Sequence, residues 1–231
     1  MKQLAYIVIL ASGIVCSAES YASAGDQTLV VGYSRASADW VNSAVSNSSN
    51  LFNDALQSSN TFGGEVRASR DSNKDISGAF IKYRYELDNS WGAIVSANYL
   101  LGDYGNVLQR KRPTDDPHQF DSYDFKNRVK SDYFTIMAGP SYRINEFISV
   151  YATFGMAYSH IGISSHSNQV ISNSYTEIAN SSNDESRFSV ASSLGLQANV
   201  WKRVVVDVAY EIAGRGDWKT NGLTLGLGYQ F

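Results

Sequence analysis

The chain has 231 residues, a formal net charge of −3, 13% aromatic residues, 18 Gly and only 3 Pro. A charge this close to neutral leaves no basic footprint for nucleic acid, so we predict no nucleic-acid partner. Tyr outnumbers Phe by 15 to 10, which suits amphipathic aromatic positions better than a dry core.

The amino terminus has the three parts of a secretory signal peptide. They are a positive residue, an apolar run and an A-x-A cleavage site, namely Lys2, Leu4–Val15 and Ala22–Ser23–Ala24. About a dozen apolar residues are too few to span a bilayer, which argues against a membrane-anchoring helix. Lipoprotein acylation at Cys16 is a further alternative, but the residues before it match that signal poorly. We therefore expect residues 1–24 to be cleaved and residues 25–231 to form a single domain.

Cleavage would also remove Cys16, the one cysteine, so the mature chain could form neither a disulfide nor a thiolate metal site. No later stretch approaches the length of continuous apolar sequence that a transmembrane helix requires. An exported chain without a spanning helix is either a soluble protein or a β-barrel.

The first predicted strand, Gln27–Ser34, leads into the long polar segment 35–75, which is predicted to be a loop. Five apolar residues within it fall roughly at helical spacing: Val41, Val45, Phe52, Ala55 and Leu56. The Ser and Asn residues between them are poor helix formers. A short surface helix and an irregular loop are therefore both consistent with this segment.

The next two strands, Ile76–Leu87 and Trp91–Leu101, alternate apolar residues with charged or small ones. Asp88–Asn89–Ser90 between them is a tight-turn sequence, so the two strands are predicted to form a hairpin. In a soluble sandwich the charged face would simply meet water, and that alternative stays open at this point.

Two further long polar segments, 102–131 and 160–186, are also predicted to be loops. Pro140 cannot donate to a strand ladder, so we expect a bulge there or a position near the barrel rim. The remaining strands and short turns are Tyr133–Arg143, Asn145–Glu146, Ile148–Ser159, Phe188–Val200, Trp201–Lys202–Arg203, Val204–Ile212 and Gly222–Phe231.

The eight predicted strands thus have long connections at one end and short turns at the other. Nothing in a soluble β-sandwich requires all the long loops to lie at one end. Outer-membrane barrels, in contrast, have long extracellular loops and short periplasmic turns. We predict an all-β fold, an eight-stranded antiparallel transmembrane β-barrel of the outer-membrane type. Its loops would be extracellular and both termini periplasmic.

The predicted inward-facing positions carry equal numbers of cations and anions, which suggests a neutral, internally paired network. They are Lys82, Arg84, Arg143, Glu86, Asp207 and Glu211. Eight strands leave an interior just wide enough for side chains, so we expect a filled barrel that does not conduct.

Three segments carry a further signal when they are taken together. They are Lys82–Tyr83–Arg84–Tyr85–Glu86 with Asp88–Asn89–Ser90, then Ala138–Gly139–Pro140–Ser141–Tyr142–Arg143–Ile144–Asn145, and the terminal Gly226–Leu227–Gly228–Tyr229–Gln230–Phe231. In these segments the chain resembles the Ail/Lom family of outer-membrane proteins (OmpX-like, attachment and invasion type). The resemblance runs over nearly all eight strands, in order, and leaves out most of the long loops.

The resemblance implies a barrel in a Gram-negative outer membrane that acts, without catalysis, in adhesion, invasion or serum (complement) resistance. It also implies that the terminal strand, through Leu227, Tyr229 and Phe231, is the signal read by the outer-membrane barrel assembly machinery. The first loop is longer than this resemblance predicts, and loop sequences do not transfer, so the ligand is not inherited.

The binding candidates in the predicted loops are cations and aromatic residues: Arg110, Lys111, Arg112, Arg128, Lys130, Phe120, Tyr123 and Phe125. The cations would bind anionic oxygens of sulfated glycans or lipopolysaccharide, and the aromatic residues would contact a matrix protein or complement regulator. The alternatives are aromatic residues that only pack the loop, and a solvated loop whose cations are offset by Asp115, Asp116, Asp121 and Asp124.

Two other functions stay open: a structural or stress-related barrel without a host ligand, and a lipid-modifying enzyme. The enzyme would need a Ser, His and acid set at the rim, and His160, His166, Ser164, Ser165 and Glu177 offer one on paper. Ser and Asn are so frequent in this segment that such a set arises easily by chance. We predict a monomeric, non-enzymatic protein with no metal and no cofactor, in contact with outer-membrane lipid.

Overall fold

The structure is a computed structural model. It describes residues 24–60, 64–70, 75–114, 120–171, 174–201 and 203–231. The predicted signal peptide, residues 1–24, lies outside these ranges except for Ala24, and its cleavage stays a prediction.

The described residues form nine strands, one α-helix and a single 3-10 turn, Gly216–Trp218. The elements in chain order are β1 (Gln27–Ala38), α1 (Asp39–Asn60), β2 (Glu65–Arg70), β3 (Ile76–Glu86), β4 (Trp91–Pro113), β5 (Phe120–Arg143), β6 (Ile148–Ile171), β7 (Ser174–Trp201), β8 (Val204–Ala213) and β9 (Thr220–Gln230).

Eight of the strands in the described ranges close into a ring, in the order β1, β3, β4, β5, β6, β7, β8 and β9. Each neighbouring pair is antiparallel, and β1 pairs with β9 from Thr28↔Gln230 to Ala38↔Thr220. The predicted eight-stranded antiparallel barrel is therefore confirmed. Of the helices in the described part of the chain, none combines the length and the apolar character needed to cross a bilayer.

The faces of the strands are inverted relative to a soluble protein. On β9, Leu223 and Leu225 are each 61% exposed on the outside, whereas Thr224 between them is 2% exposed on the inside. The same alternation puts Val95 of β4 and Ile136 of β5 on the outer surface. This exposed apolar surface, called the apolar band below, is what a bilayer would cover.

Short connections lie at one end of the barrel, called the turn end, and the described part of the chain also begins and ends there. Asp88 Oδ1 accepts the backbone N–H groups of Ser90 and Trp91, both at 2.7 Å, and these bonds lower the pKa of its carboxyl. Asn145 closes the next turn in the same way, accepting from the N–H groups of Phe147 and Ile148. The predicted turns at these two places are thus built by side chains that mimic a backbone turn.

The prediction that residues 102–131 and 160–186 are loops is wrong for most of these residues. The strands β4 to β7 continue through both segments and pair with one another there. Here the polarity of the faces reverses. On β5, Phe125 and Val129 are buried inside the barrel, while Lys126, Arg128 and Lys130 point outward. This part, called the extension, buries apolar residues together with polar ones such as Asn106 and Asn127, has a largely polar outer face on β5, and defines the loop end.

In the described part of segment 35–75 the loop prediction is likewise wrong for most residues. β1 continues to Ala38, and α1 is a helix of 22 residues that packs inside the extension against β4 and β5. β2 is a strand that the sequence reasoning missed, and it pairs with Asn106–Lys111 of β4, beyond the part of β4 that pairs with β3.

The helix α1 is held at several points along its length. Trp40 stacks on Trp218 at 5.5 Å between ring centroids, and Phe52 packs against Phe125 at 6.4 Å. Ser49 and the hydroxyl of Tyr104 are 3.2 Å apart. Because its buried residues recur with helical period, one face of a sequence poor in helix formers can still be buried. Of the two alternatives for this segment, the helix is the one observed, and it is packed inside the extension instead of on the surface.

Pro140 lies near the turn end of β5, three residues before the strand ends at Arg143. The β5–β6 pairing is interrupted between Ala138 and Ser141 and then resumes in the same register. The missing N–H group is thus accommodated near the rim, where a gap in the ladder affects few bonds.

The helix offers a matched pair of substitutions. Phe52→Ala should remove a buried contact between α1 and β5 and destabilise the docked helix by roughly 3 kcal/mol. Amide hydrogen exchange of the refolded protein should show faster exchange across α1. Leu51→Ala, at a neighbouring position that is 47% exposed, is the control and should change the exchange little. Equal protection of α1 in the two variants would contradict this account of the helix.

Candidate functional site

The middle of the barrel interior holds a buried cation and its partners. Lys82 Nζ lies 2.6 Å from Asp207 Oδ1 and donates to the hydroxyl groups of Tyr151, at 2.6 Å, and Thr224, at 3.0 Å. Asp207 Oδ2 accepts from the Tyr151 hydroxyl at 2.8 Å and from Gln197 Nε2 at 2.9 Å. Both charges are fully buried and hydrogen-bonded, which is the condition for tolerating charges in such a place.

A second cluster lies closer to the turn end. Glu86 Oε1 is 3.0 Å from Arg84 Nε and 2.9 Å from Arg143 Nη2, so one carboxylate bridges two guanidinium groups. Glu211 is held differently, by the hydroxyl of Tyr133 at 3.0 Å and by the side-chain amide of Asn98. The structure thus places all six sequence-predicted interior charges inside the barrel, and it divides them into separate groups.

These groups and α1 fill the interior along its length. The charged clusters occupy the part surrounded by the apolar band, and α1 with its apolar neighbours occupies the extension. Eight-stranded barrels have room for little more than their own side chains. The polar surface outside the apolar band is the outer face of the extension.

Strand register arranges the outer-face residues of β4 to β7 in rows. The aromatic row consists of Tyr99, Phe134, Tyr158 and Phe188, and the rings of Tyr158 and Phe188 are 4.9 Å apart. Such a belt marks the interface between membrane and water in outer-membrane barrels. The two following rows are Leu101, Asp132, His160 and Ser186, then Asp103, Lys130, Gly162 and Asp184.

The predicted basic run 110–112 does not form one patch, because it lies on a strand and its residues alternate between faces. Arg110 is buried and donates from Nη2 to Asn60 Oδ1 of α1 at 2.8 Å. Lys111 is exposed on the outer face. Arg112 is half-exposed and forms an ion pair with Asp121 at 2.7 Å. Of the three, Lys111 and Arg112 are exposed, and Arg112 is held by Asp121.

Two of the predicted aromatic contact residues, Tyr123 and Phe125, pack in a cluster inside the barrel. Phe125 is buried against α1, and Tyr123 is partly buried in the same cluster, with its hydroxyl 3.3 Å from Ser167 Oγ. Phe120 is the first residue of β5 and pairs with Pro113 of β4. For Tyr123 and Phe125 the structure thus favours the packing alternative over a direct contact with a partner.

Arg128 and Lys130 lie on the outer face of β5, together with Lys126, which the sequence reasoning did not single out. We call these three residues the basic ladder. Arg128 holds Asp103 across the strand pair, with Nε 2.8 Å from Oδ1 and Nη2 on the second oxygen. This hydrogen bonding, with a smaller contribution from Lys130, lowers the pKa of the Asp103 carboxyl. The period-2 spacing of the three cations was the signal that would have found Lys126.

The two histidines of the suggested catalytic set have different partners. His160 Nδ1 is 2.8 Å from Ser186 Oγ, whereas His166 Nδ1 is 3.9 Å from Glu177 Oε1 and its Nε2 contacts Asn168. The hydroxyl and the carboxylate therefore belong to different histidines, unlike the hydroxyl–imidazole–carboxylate relay of nucleophilic enzymes.

Comparison with known proteins adds a family relationship to this geometry. The family model described as Enterobacterial Ail/Lom protein matches residues 53–231. Outer membrane protein Lom of Escherichia phage lambda is 33% identical over 161 residues, covering 68% of this chain and 74% of that protein. The virulence membrane protein PagC of Salmonella typhimurium is 31% identical over 158 residues, covering 68% of this chain and 78% of PagC.

Among solved structures, the chain is similar to Ail, the attachment invasion locus protein of Yersinia pestis. The crystal structure of that protein in complex with the heparin analogue sucrose octasulfate is 25% identical, with a TM-score of 0.54. The match covers 90% of this chain and 99% of that one.

The interior network can be tested directly. Asp207→Asn leaves the buried Lys82 ammonium without its carboxylate, so the free energy of unfolding should fall by roughly 3 kcal/mol. Urea unfolding of the refolded protein in detergent micelles, followed by tryptophan fluorescence, measures this change. Asp184→Asn, the same substitution at an exposed position of β7, should leave the midpoint almost unchanged. Equal midpoints for both variants would show that the pair contributes nothing.

Proposed function

Because the chain belongs to the Ail/Lom family of outer-membrane proteins, we propose that it is a non-enzymatic surface protein for attachment, invasion or serum resistance. Its loop end faces the outside of the cell, and both termini face the periplasm. The observation that carries the proposal is the change of polarity along β4 to β7. Beyond the aromatic row, β5 turns Lys126, Arg128 and Lys130 outward and buries Phe125 and Val129, the opposite of its pattern in the apolar band, which suits a domain in water.

The filled interior supports a role in recognition. Transport would need a path through the barrel, whereas Lys82, Arg84 and their partners occupy its middle. Binding at the outer face of the extension needs no such path. The charged side chains of the extension lie on the outer face of a sheet whose inner face packs against α1. The strand backbone therefore sets the spacing of these charges.

For the ligand we propose a sulfated glycan, bound by the basic ladder. Lys126, Arg128 and Lys130 follow one another at every second residue, about 7 Å apart along β5. Clustered cations attract sulfate oxygens through charge-assisted hydrogen bonds. The structurally similar Ail of Yersinia pestis was solved with a heparin analogue, which supports this class of ligand without specifying the residues.

Within the ladder the lysines should contribute most. Arg128 is already paired with Asp103, so a sulfate would have to compete with a carboxylate for it. Lys126 lies opposite His166 of β6 in the strand register. Lys111, on the outer face of β4, lies nearer the tip of the extension and could extend the same surface.

A second candidate function is a structural outer-membrane barrel without a dedicated host ligand. The observation in its favour is that the predicted cations Arg110 and Arg112 and the aromatic residue Phe125 are used for internal contacts. Heparin binding by the wild-type protein separates the two candidates, because the structural role predicts none.

The carboxy-terminal strand carries a second proposed role, as the signal for the barrel assembly machinery. Leu227, Tyr229 and Phe231 lie on the outer face at the turn end, and all three are substantially exposed. The backbone of Phe231 is nevertheless paired with Gln27 in both directions, at 2.8 and 3.1 Å. Its side chain is therefore accessible even where its backbone closes the ring.

The ladder predicts a specific loss of heparin binding. The double substitution Lys126→Gln/Lys130→Gln should weaken binding to immobilised heparin roughly tenfold at physiological salt, because it removes two exposed cations. The control is Arg215→Gln/Lys219→Gln, which removes the same charge beside the 3-10 turn, away from β5. Equal binding by both double variants would contradict the ladder as the site.

Deleting Phe231 should impair insertion into the outer membrane, since the accessible aromatic terminus would be missing. The readout is the fraction of protein in cells that shows heat-modifiable migration on electrophoresis. Phe231→Tyr, which keeps an aromatic ring, is the control and should assemble. Normal assembly of the deletion variant would overturn the proposed signal.

A further inference from the structure

The connection between β8 and β9 is a short turn at the loop end of the barrel. It contains the tripeptide Arg215–Gly216–Asp217, and all three of its residues are exposed. The tripeptide lies beyond Ala213 and Thr220, the last residues that pair the two strands. We call it the RGD turn. None of its residues belongs to the basic ladder or to the interior clusters.

Two hydrogen bonds close the backbone of the RGD turn. The N–H group of Trp218 donates to the C=O group of Arg215 at 3.4 Å, and that of Lys219 donates to Gly216 at 3.2 Å. Gly216 has a φ of +62°, which residues with a side chain rarely adopt. Apart from its chain neighbours, no described residue would come within 4 Å of a Cβ at Gly216. The outer side of the bend is therefore open to a close approach by another surface.

Trp218 fixes the RGD turn to the rest of the protein. Its ring stacks on Trp40 of α1 at 5.5 Å, and the guanidinium group of Arg187 lies 5.5 Å from the centre of the same ring. The C=O group of Lys219 accepts a hydrogen bond from the N–H group of Asp39 at 2.8 Å. A turn held in this way presents its residues in one arrangement, which reduces the entropy lost when a partner binds.

The charges of the RGD turn are not used by the fold. Within the residues that the structure describes, neither the Arg215 guanidinium nor the Asp217 carboxylate has a hydrogen-bond or ion-pair partner. On the extension, in contrast, Arg128 and Asp103 hold each other. The turn thus offers a free cation and a free carboxylate on the two sides of a glycine. Such a pair suits a receptor with an acidic pocket for the guanidinium and a divalent cation for the carboxylate.

We propose that the RGD turn binds an integrin, the class of host receptor that recognises Arg-Gly-Asp with these two groups. Asp217 supplies a carboxylate oxygen to the receptor's divalent cation, and Arg215 enters the acidic pocket. The open side of Gly216 lets the two surfaces meet. The inference rests on the proposed function only in that the loop end faces the outside of the cell. It adds a protein receptor to the sulfated glycan and requires no residue of the basic ladder.

The RGD turn lies close to the membrane surface. It begins three residues after Ile212, an outer-face residue of the apolar band that is 40% exposed, so it stands roughly 10 Å beyond that residue. The outer leaflet of a Gram-negative outer membrane carries lipopolysaccharide. Access on the cell therefore requires lipopolysaccharide with short sugar chains, and the cellular part of the test uses a strain of that kind.

The test uses the refolded full chain and the soluble ectodomain of the vitronectin receptor, an integrin that recognises Arg-Gly-Asp. The wild-type protein should bind it in the presence of Mg²⁺ and lose it in a chelator, because the receptor's cation holds the carboxylate. Asp217→Glu keeps the charge but moves the carboxylate by one methylene, and it should weaken binding at least roughly tenfold. Lys219→Gln, in the same turn but outside the tripeptide, is the control and should bind like the wild type.

Heparin binding separates this inference from the proposed function. Asp217→Glu should keep its binding to heparin, whereas Lys126→Gln/Lys130→Gln should keep its binding to the integrin. Heat-modifiable migration checks that each variant is folded. Absence of Mg²⁺-dependent binding by the wild-type protein, or full binding by folded Asp217→Glu, would refute the proposal.

Cells with short-chain lipopolysaccharide that express the wild-type protein should also bind the ectodomain, and cells that express Asp217→Glu should not. Binding by the purified wild-type protein but not by these cells would contradict the outward orientation of the loop end, and with it the role in binding a host receptor.

Discussion

The structure depends on the antiparallel pairing of β1 with β9, which joins the two ends of the sheet. In a bilayer, backbone N–H and C=O groups find no water, so a sheet can cross only if no edge is left open. The pairing from Thr28↔Gln230 to Ala38↔Thr220 satisfies this condition and brings the start of β1 and the end of β9 together at the turn end. Closure also separates inside from outside on every strand, and each further feature follows from which side a residue faces.

The two sides exchange their character along the longest strands. Near the middle of β5, Thr135 is buried inside and Ile136 is exposed outside, whereas in the extension Val129 is buried inside and Arg128 is exposed outside. The alternation of the strand does not change, but its surroundings do, from lipid to water. The aromatic row lies where this exchange occurs, which is why Tyr99 of this row is hydrogen-bonded to the carboxylate of Asp132 in the next row.

The helix α1 makes the extension possible as a compact structure. A sheet that leaves the bilayer with an apolar inner face needs something to cover that face, and α1 does so through Val45, Phe52 and their neighbours. The basic ladder stands on the opposite face of β5 from Phe125, which contacts Phe52. Strand β5 thus packs against α1 with its inner face and presents cations on its outer face. The packing holds the strand that carries these cations in place.

Local alternation in the sequence was enough to find the ring of strands, the tight turn at Asp88 and the inward positions of Lys82 and Asp207, because a strand places residues i and i+2 on one face whatever its partners are. It was not enough for the extension. There the pattern is that of a soluble sheet, and polar sequences such as 160–186 become strands only because neighbouring strands supply their hydrogen bonds. The location of α1, and the separation of buried Arg110 from exposed Lys111, likewise depended on contacts between residues far apart in the chain. Only the tertiary structure decided the location of α1 and the burial of Arg110. Whether a side chain is buried depends on which other parts of the chain lie against it, and the spacing of residues along the sequence does not specify that.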